Sequence, residues 1–553
     1  MKILGIVGWD DGTHDPAAAL VVDGQLISFI EEERLCRRKH AISELPHLSV
    51  QAVLACAGEQ IENIDVVAYG YDMPYYNKLR KLPWHLTDAE FLKKVLGVPM
   101  RRLPKFVWVP HHHAHAASAY YASGLGDATV LVVDGLGEEH SISLYSGHQS
   151  RLEFIRSWPS SHSLGTLYEA ASVHCGFTYL DGGKTMGLAA YGQGARDSLP
   201  LRWESDDLLS PISDRLLDVE VRRAWLEIMQ QGYGPPPIPP RTFDRKLSRT
   251  RLALDDPKQL HPDVAAAAQD VVEKAMTSLV RYGIATTGIR NVCIAGGVAL
   301  NCAANGKLVD LCDSLFIQPA SHDAGAAAGA AMKVAADNGV IVQPMTMTRV
   351  DLGPSYPSSL VGEILGACHL GATQVDDPAE EAVRLLLRGR VIGWFQGRME
   401  VGPRALGHRS ILALPKPIEN KDRVNAIKGR EPWRPLAPSL LRSEMPMMFE
   451  RDVDSPFMLL SFPLSTKGRL EAPAIAHVDG SARPQTVPPG SGPFQRLLDL
   501  LRERSGLGAV INTSFNGPGE PIVCTPADAV RTFMTTGLDA LVIEDFVLEK
   551  RVH

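Results

Sequence analysis

Long hydrophobic runs are missing from this sequence: none of its apolar stretches approaches the ~20 residues that a membrane-spanning helix needs. Paired cysteines are missing as well. The 8 cysteines stand singly, with no C-x-x-C among them, which argues against structural zinc of the paired-cysteine kind and fits a reducing cytoplasm. Basic charge is not in excess. A net charge of -7 opposes a general nucleic-acid binder, which needs a positive footprint for phosphates. The opening "MKILGIVGWDDGTHD" is apolar only briefly before it turns acidic, so no secretory leader is expected. These absences lead us to expect a cytoplasmic protein with neither a membrane nor a nucleic acid as partner. What is present is ordinary globular usage, 45% hydrophobic and 22% charged, and 553 residues imply two or three domains.

The first thirty residues read as strand, acidic turn and two further strands around Asp23-Gly24, a pair suited to a type I′ hairpin because both central residues need positive φ. Residues 128–158, "ATVLVVDGLGEEHSISLYSGHQSRLEFIRSW", repeat that order, with "DG" at 134–135 and "SG" at 146–147 as the degenerate turns. Such a duplicated unit builds the actin-like and sugar-kinase folds, which hold nucleotide between their halves; two unrelated hairpins in an α/β protein is the alternative. A long helix is expected over 261–288, then strand, Gly-Gly turn and helix over 291–310, then a strand and the small-residue helix that follows "SHDAG". The proline-rich stretch at 234–241 reads as a surface loop. Periodicity is lost near 340–375, which puts a first domain at 1–350 and an α/β second domain at 351–553.

Residues 111–115 contain four histidines. On a helix, His111 and His115 lie four apart and share a face, a spacing that lets two imidazoles hold one ion, while His112 and His113 point elsewhere. Asp134 at the end of "VLVVD" and Asp323 in "SHDAG" stand where α/β sheets present functional side chains. Together they form a nitrogen and oxygen donor set that suits Fe(II), Mn(II) or Zn(II), without choosing among them. Gly296 and Gly297 allow close approach of a phosphate to a helix start, and Lys184 lies among glycines in "LDGGKTMGLAAYG"; either stretch equally serves as a plain turn or loop.

The second domain carries another kind of site. From Arg398 to Arg434 there are nine Lys/Arg against four Asp/Glu, set among glycines and prolines in "GRMEVGPRALGHRS" and "NAIKGREPWRPLAP". Arginines on rigid loops fit phosphorylated ligands, because the guanidinium fork matches phosphate oxygens; a solvated basic surface is the alternative. Arg483, Ser514 and Asn516 add donors that can reach phosphate or carbamoyl groups.

The stretches "HDPAAALVVDGQLISFIEEERLCRRKH", "HHHAHAASAYY", "VVDGLGE", "SLGTLYEAASVHCGF", "KTMGLAAYG", "GGVALN", "GRMEVGPRALGHRSIL", "HVDGSARPQTV" and "INTSFNGPGEPIV", in this order, resemble the NodU/CmcH-type O-carbamoyltransferases. That resemblance implies a duplicated actin-like domain with a smaller YrdC-like α/β domain. It implies that carbamoyl phosphate and ATP, with Mg, give a carbamoyl-adenylate whose carbamoyl group passes to a hydroxyl of a natural product at a metal site. Residue by residue, it implies His111, His115, Asp134 and Asp323 as ligands of iron, and His14 as general base. It further implies Arg404 at the adenylate phosphate and Lys428, Arg434, Arg483, Ser514 and Asn516 around carbamoyl phosphate. Lys184, Gly296, Gly297 and Asn301 match nucleotide positions. The family's apolar residue between the histidines is His113 here, which is not expected to turn inward.

Three rivals stand beside this reading. A tRNA threonylcarbamoyl-type transferase is opposed by the net charge and the fused second domain. A hydrogenase-maturation carbamoyltransferase is opposed by the lack of C-x-x-C motifs. A non-catalytic metal- and nucleotide-binding relative is opposed by the dense Arg/Ser/Asn set. The acceptor, an antibiotic-like alcohol, is expected to meet loops 70–105 and 195–250. An apolar wall of Tyr75, Tyr76 and Trp84 would favour a macrolide or polyketide over an aminoglycoside. The oligomeric state is not readable from the sequence, although a homodimer is common for enzymes of this size.

Overall fold

The computed structural model describes residues 1–97, 102–193, 199–237, 256–344 and 350–550. The chain forms two compact units, Met1–Cys36 with His40–Met347, and Arg37–Lys39 with Thr348–His553. Among the described residues no helix is long and apolar enough to cross a membrane.

The first unit contains two five-stranded sheets. One is built from β1 (Lys2–Val7), β2 (Ala17–Val22), β3 (Gln25–Glu31), β4 (Val66–Tyr69) and β5 (Lys105–Trp108). Its order is β3-β2-β1-β4-β5: an antiparallel meander, then two parallel strands on the far side of β1. The other is built from β6 (Asp127–Val133), β7 (His140–His148), β8 (Arg151–Pro159), β9 (Asn291–Ala295) and β10 (Ser314–Ile317). It repeats the arrangement strand for strand as β8-β7-β6-β9-β10, with the same parallel and antiparallel pairings. This is the duplicated actin-like topology, and it excludes two unrelated hairpins.

The first hairpin turns where the sequence places it. Val22 pairs with Gln25, and Asp23 and Gly24 have φ of 47° and 83°, the type I′ requirement. The second turns elsewhere. Ser146 and Gly147 lie inside β7, and Gln149 and Ser150 make the turn at φ of 47° and 62°. Gly147 serves a close approach instead: a Cβ there would lie 2.4 Å from the Tyr120 ring.

Five helices of this unit matter below: α1 (His111–Ser123), α2 (Leu164–His174), α3 (Val219–Tyr233), α4 (Pro262–Thr287) and α5 (Ala324–Asp337). The small residues of α5 have a steric cause. A Cβ on Gly5 of β1 would meet the Ala327 carbonyl oxygen at 1.9 Å, and one on Gly329 would meet that of Ala114 at 1.8 Å. Only glycine lets α5 lie directly on both β1 and α1. One face of the first sheet is closed by aromatic packing of Trp9, Tyr69, Phe91 and Trp108, with the Phe91 and Trp108 rings 4.5 Å apart. Each such ring, taken out of water, contributes about 1.5–3 kcal/mol.

The second unit is organised on one eight-stranded sheet. Its strands are β11 (Thr373–Gln374), β12 (Ile392–Phe395), β13 (Arg409–Ala413), β14 (Ala437–Leu441), β15 (Gln485–Val487), β16 (Ala509–Ser514), β17 (Ala540–Ile543) and β18 (Phe546–Glu549). They lie in the order β11-β18-β17-β12-β13-β16-β14-β15. Helices α6 (Pro378–Leu387) and α8 (Gly492–Ser505) bury Leu386, Phe494, Leu497 and Leu501 against Trp394 and Val542 of the sheet; α7 (Glu419–Ile427) leads into Lys428. Central β16 ends at Ser514, so the residues after it leave from a rigid point.

Candidate metal and anion sites

In the first unit, His111 and His115 stand one turn apart on α1 and turn their rings toward each other, with Nε2 atoms 3.1 Å apart. Asp134 leaves the end of β6, and Asp323 precedes α5. The Asp134 Oδ2 lies 3.3 Å from His111 Nε2 and 3.5 Å from His115 Nε2. The Asp323 Oδ1 lies 3.6 and 4.0 Å from the same two nitrogens. One donor atom from each of the four falls within 4.8 Å of all the others. The sequence brings together these residues, and the fold converges them on a point.

The surroundings fix their protonation. His111 Nδ1–H donates to the Gly70 carbonyl at 3.0 Å, which aims Nε2 at the cluster. Gly297 N–H donates to Asp134 Oδ1 at 2.9 Å and orients that carboxylate. Gly296, at φ 93°, is where β9 meets the Val133 backbone so closely that a Cβ would lie 2.3 Å from its oxygen. Burial raises the cost of charge at Asp134, but His111 and His115 outweigh it and hold the carboxyl well below its ordinary range. Burial likewise opposes a charged His111, and Asp134 and Asp323 push it well above its ordinary value. The site thus gathers two carboxylates and two imidazoles at one point, a donor set that fits a divalent ion of the iron, manganese or zinc type.

His112 and His113 do stay out of the cluster. His112 Nδ1 pairs with Ser143 Oγ at 2.7 Å, and the His113 ring packs 5.1 Å from that of Tyr145. His14, in the loop between β1 and β2, lies beside the cluster, its Nδ1 3.8 Å from Asp323 Oδ2 and 3.0 Å from Asp15 Oδ2. Burial opposes its charge, yet Asp323 and Asp15 push it up to about 10.

Two neighbours escaped sequence reasoning. Glu138 accepts from the backbone N–H of His111 at 2.8 Å and of Asp72 at 2.8 Å, and so caps α1, which Pro110 leaves without a side-chain cap. The Tyr71 ring lies 4.8 Å from that of His111. "VVDGLGEEH" contains Glu138, but nothing in its spacing announces a cap for a helix that starts twenty-seven residues earlier.

The expected apolar wall is not found. Trp84 packs into the aromatic core with Trp9, Phe91 and Trp108. Tyr75 is exposed and donates to Glu139. Tyr76 lies under the Arg80 guanidinium at 3.6 Å, and Arg80 makes two 2.7 Å hydrogen bonds to Asp218. Charge fills this corner because the ring faces attract a guanidinium. Of the second expected loop, 194–198 and 238–255 lie outside the described residues.

Three nucleotide candidates are engaged locally. Lys184 Nζ lies 3.2 Å from Asp181 Oδ2. Asn301 exchanges amide hydrogen bonds of 2.9 and 3.0 Å with Gln269 and caps the helix Cys302–Leu308 through Ala304 N–H. Gly297 gives its N–H to Asp134, as above.

In the second unit Lys428, Ser514 and Asn516 form one cluster. Lys428 Nζ donates to Ser514 Oγ at 3.0 Å, to the Asn516 carbonyl at 3.1 Å and to Asn516 Oδ1. Burial lowers the Lys428 pKa well below that of a free lysine, with Arg430 and Arg434 acting in the same sense. Arg430 is lowered by burial and by Arg434, with Arg483 adding to the repulsion and Glu431 opposing it. Arg483 donates to the Met458 carbonyl at 3.3 Å, and Arg434 lies 3.7 Å from Glu431. Lys428, Arg430, Arg434 and Arg483 thus stand close enough to repel one another, with Glu431 and Glu520 opposing, an arrangement an anion would relieve.

One other member of the basic run is structural. Arg409 is fully buried, lies 3.5 Å over the Phe395 ring and donates to the carbonyls of Gln396, His408, Pro354 and Gly397. Arg404 sits half-buried in a loop pinned by Glu400, whose Oε1 accepts from Leu406 and Arg409 N–H at 2.9 and 3.1 Å.

Residues 75–200 and 236–332 match the family described as "Carbamoyltransferase N-terminus", and residues 383–550 match "Carbamoyltransferase C-terminus". The chain belongs to the carbamoyltransferase family. It is 38% identical to "Nodulation protein NolNO" of Sinorhizobium fredii, over 97% of this chain and 79% of that one. It is 36% identical to "Uncharacterized protein sll1178" of Synechocystis sp., over 99% and 96%. It is 28% identical to the "3'-hydroxymethylcephem-O-carbamoyltransferase" of Amycolatopsis lactamdurans, over 98% of each. Membership in the carbamoyltransferases makes the protein a transferase; the residues matched by the N-terminal family include His111, His115, Asp134 and Asp323, and those matched by the C-terminal family include the Lys428 cluster.

Proposed function

We propose that the protein is an ATP-dependent O-carbamoyltransferase that works in two steps. In the second unit, read as YrdC-like, carbamoyl phosphate loses phosphate to water, and the carbamate attacks ATP to give carbamoyl-adenylate and pyrophosphate. At the His/Asp site an acceptor hydroxyl then displaces AMP and becomes a carbamate ester. The observation that carries this reading is the presence in one carbamoyltransferase chain of both a convergent His2Asp2 donor set, with His14 beside it, and a buried cationic cluster around Lys428.

The residues suit these tasks. Lys428, Arg430, Arg434 and Arg483 would receive the phosphate of carbamoyl phosphate, with Ser514 and Asn516 bonding its carbamoyl group. Arg404 is read as the contact of the adenylate phosphate. Enclosure matters because carbamate decomposes in bulk water. A divalent ion held by His111, His115, Asp134 and Asp323, taken as Fe(II), would supply Lewis acidity toward a carbonyl or phosphate oxygen. With such an ion bound, Asp323 would be neutralised and would no longer hold His14 charged, so His14 would be able to accept the hydroxyl proton. The acceptor is read as a natural-product alcohol. The charged corner of Tyr76, Arg80 and Asp218 gives no support to a purely apolar macrolide over a sugar.

Pyrophosphate release from iron-loaded enzyme tests the first step. Release that needs ATP and carbamoyl phosphate together supports the reading; equal release with ATP alone overturns it.

A further inference from the structure

We propose that Asp15, held from behind by His40, is the residue that positions His14 to accept the acceptor's proton. The proposal rests on the reading of His14 as the base.

The geometry is a three-membered chain within the first unit. One oxygen of the Asp15 carboxylate, Oδ2, lies 3.0 Å from His14 Nδ1, and the other, Oδ1, lies 3.0 Å from His40 Nδ1. Asp15 is 5% exposed, so this carboxylate has little water to turn toward. A carboxylate only accepts, so each imidazole must present Nδ1–H to it. For His14 that leaves Nε2 as the nitrogen through which a proton can be taken up or released. A carboxylate fixing tautomer and ring orientation in this way is the general role of the third member of a catalytic triad.

His40 closes the arrangement from the other side. Its backbone N–H donates to Glu33 Oε2 at 2.6 Å, and its carbonyl accepts from Asp15 N–H at 2.8 Å. The loop is tied to the same segment twice more, by Ser43 N–H to the Thr13 carbonyl at 2.9 Å and by Gly12 N–H to Ser43 Oγ at 3.2 Å. Four non-glycine residues here have positive φ: Asp15 at 53°, His40 at 61°, Ala41 at 39° and Ser43 at 59°. Each such conformation is strained and persists where the surroundings over-determine it. Asp15 lies in the loop joining β1 to β2 and the other three in the segment that follows β3, so both partners of the contact are held in set conformations.

A double-mutant cycle tests this with Asp15→Asn, which tolerates positive φ but cannot accept from both rings at once. In the otherwise native enzyme we expect kcat for carbamoyl transfer to fall about 10²-fold or more, the usual worth of a well-set base. The acceptor KM and the pyrophosphate burst should be unchanged. In the His14→Asn background the same substitution should alter transfer by less than twofold. His40→Gln should follow the same pattern with a smaller loss, which keeps the test open if Asp15→Asn folds poorly. An Asp15→Asn loss that is equal in both backgrounds overturns the proposal, since it marks a structural role. Full transfer by His14→Asn alone overturns the base itself, and is distinguishable because it needs no Asp15 variant.

Discussion

Gly329 lies against Ala114, close enough that a Cβ would stand 1.8 Å from the Ala114 carbonyl oxygen and 2.9 Å from the Ser118 Cβ. This contact sets the distance between α5, which Asp323 precedes, and α1, which carries both histidines. Gly329→Ala must separate the helices. We expect it to destabilise the first unit by about 1–3 kcal/mol, as overpacking does, and to weaken divalent-metal binding at least tenfold. Denaturant unfolding and metal titration check the two effects, and unchanged metal affinity would disconnect the packing from the site.

His115→Ala removes a donor outright. The loss of affinity for Fe(II) should exceed the ~10–100-fold that removal of an outer partner costs. Glu138→Gln, which weakens the cap of α1, should fall within that lower range. Direct metal titration of the two variants checks the order.

Part of this was legible in sequence and part was not, for physical reasons. The Asp23-Gly24 turn declares itself because few residue pairs accept two positive φ values. Its partner at Gln149-Ser150 does not, since neither residue type favours positive φ, and Gly147 drew attention for a reason that belongs to Tyr120. His111 and His115 are readable by helical spacing alone. Their carboxylate partners come from strands and loops far along the chain, where only the duplicated topology explains why strand ends converge. Glu138, Asp15 and His40 are ordinary in sequence and acquire meaning only from what they touch. Tyr76 and Trp84 look alike as aromatics, yet one is held by a guanidinium and the other by the core.

Lys428→Met should lower carbamoyl-phosphate affinity about 10–100-fold, the worth of a buried charge-assisted hydrogen bond. In the native enzyme, binding of the anion draws the depressed Lys428 pKa upward, so alkaline binding should take up protons. Calorimetry in buffers of different ionisation enthalpy reads that uptake, which Lys428→Met should abolish.

His174 gives the fold an acid-sensitive element. Burial, aided by His261 with its ring 5.1 Å away, lowers His174 to about 4. Unfolded, it would titrate at its ordinary value near 6.5. Between those values the unfolded chain binds a proton that the folded chain refuses, so stability rises with pH. The contribution is complete above pH ~6.5 and is lost as pH falls toward ~4, by at most about 3 kcal/mol. Unfolding of His174→Phe and native protein at pH ~7.5 and ~4.5 checks this, with the smaller acid loss expected in the variant.

The central claim is that two different sites perform two successive reactions. Its most direct test follows the pyrophosphate burst and the carbamoylated acceptor side by side in two variants. The account predicts that His115→Ala still gives the burst but no carbamoylated product, whereas Lys428→Met, at limiting carbamoyl phosphate, loses both. Loss of the burst in both variants, or carbamoylated product from either without pyrophosphate, would contradict it.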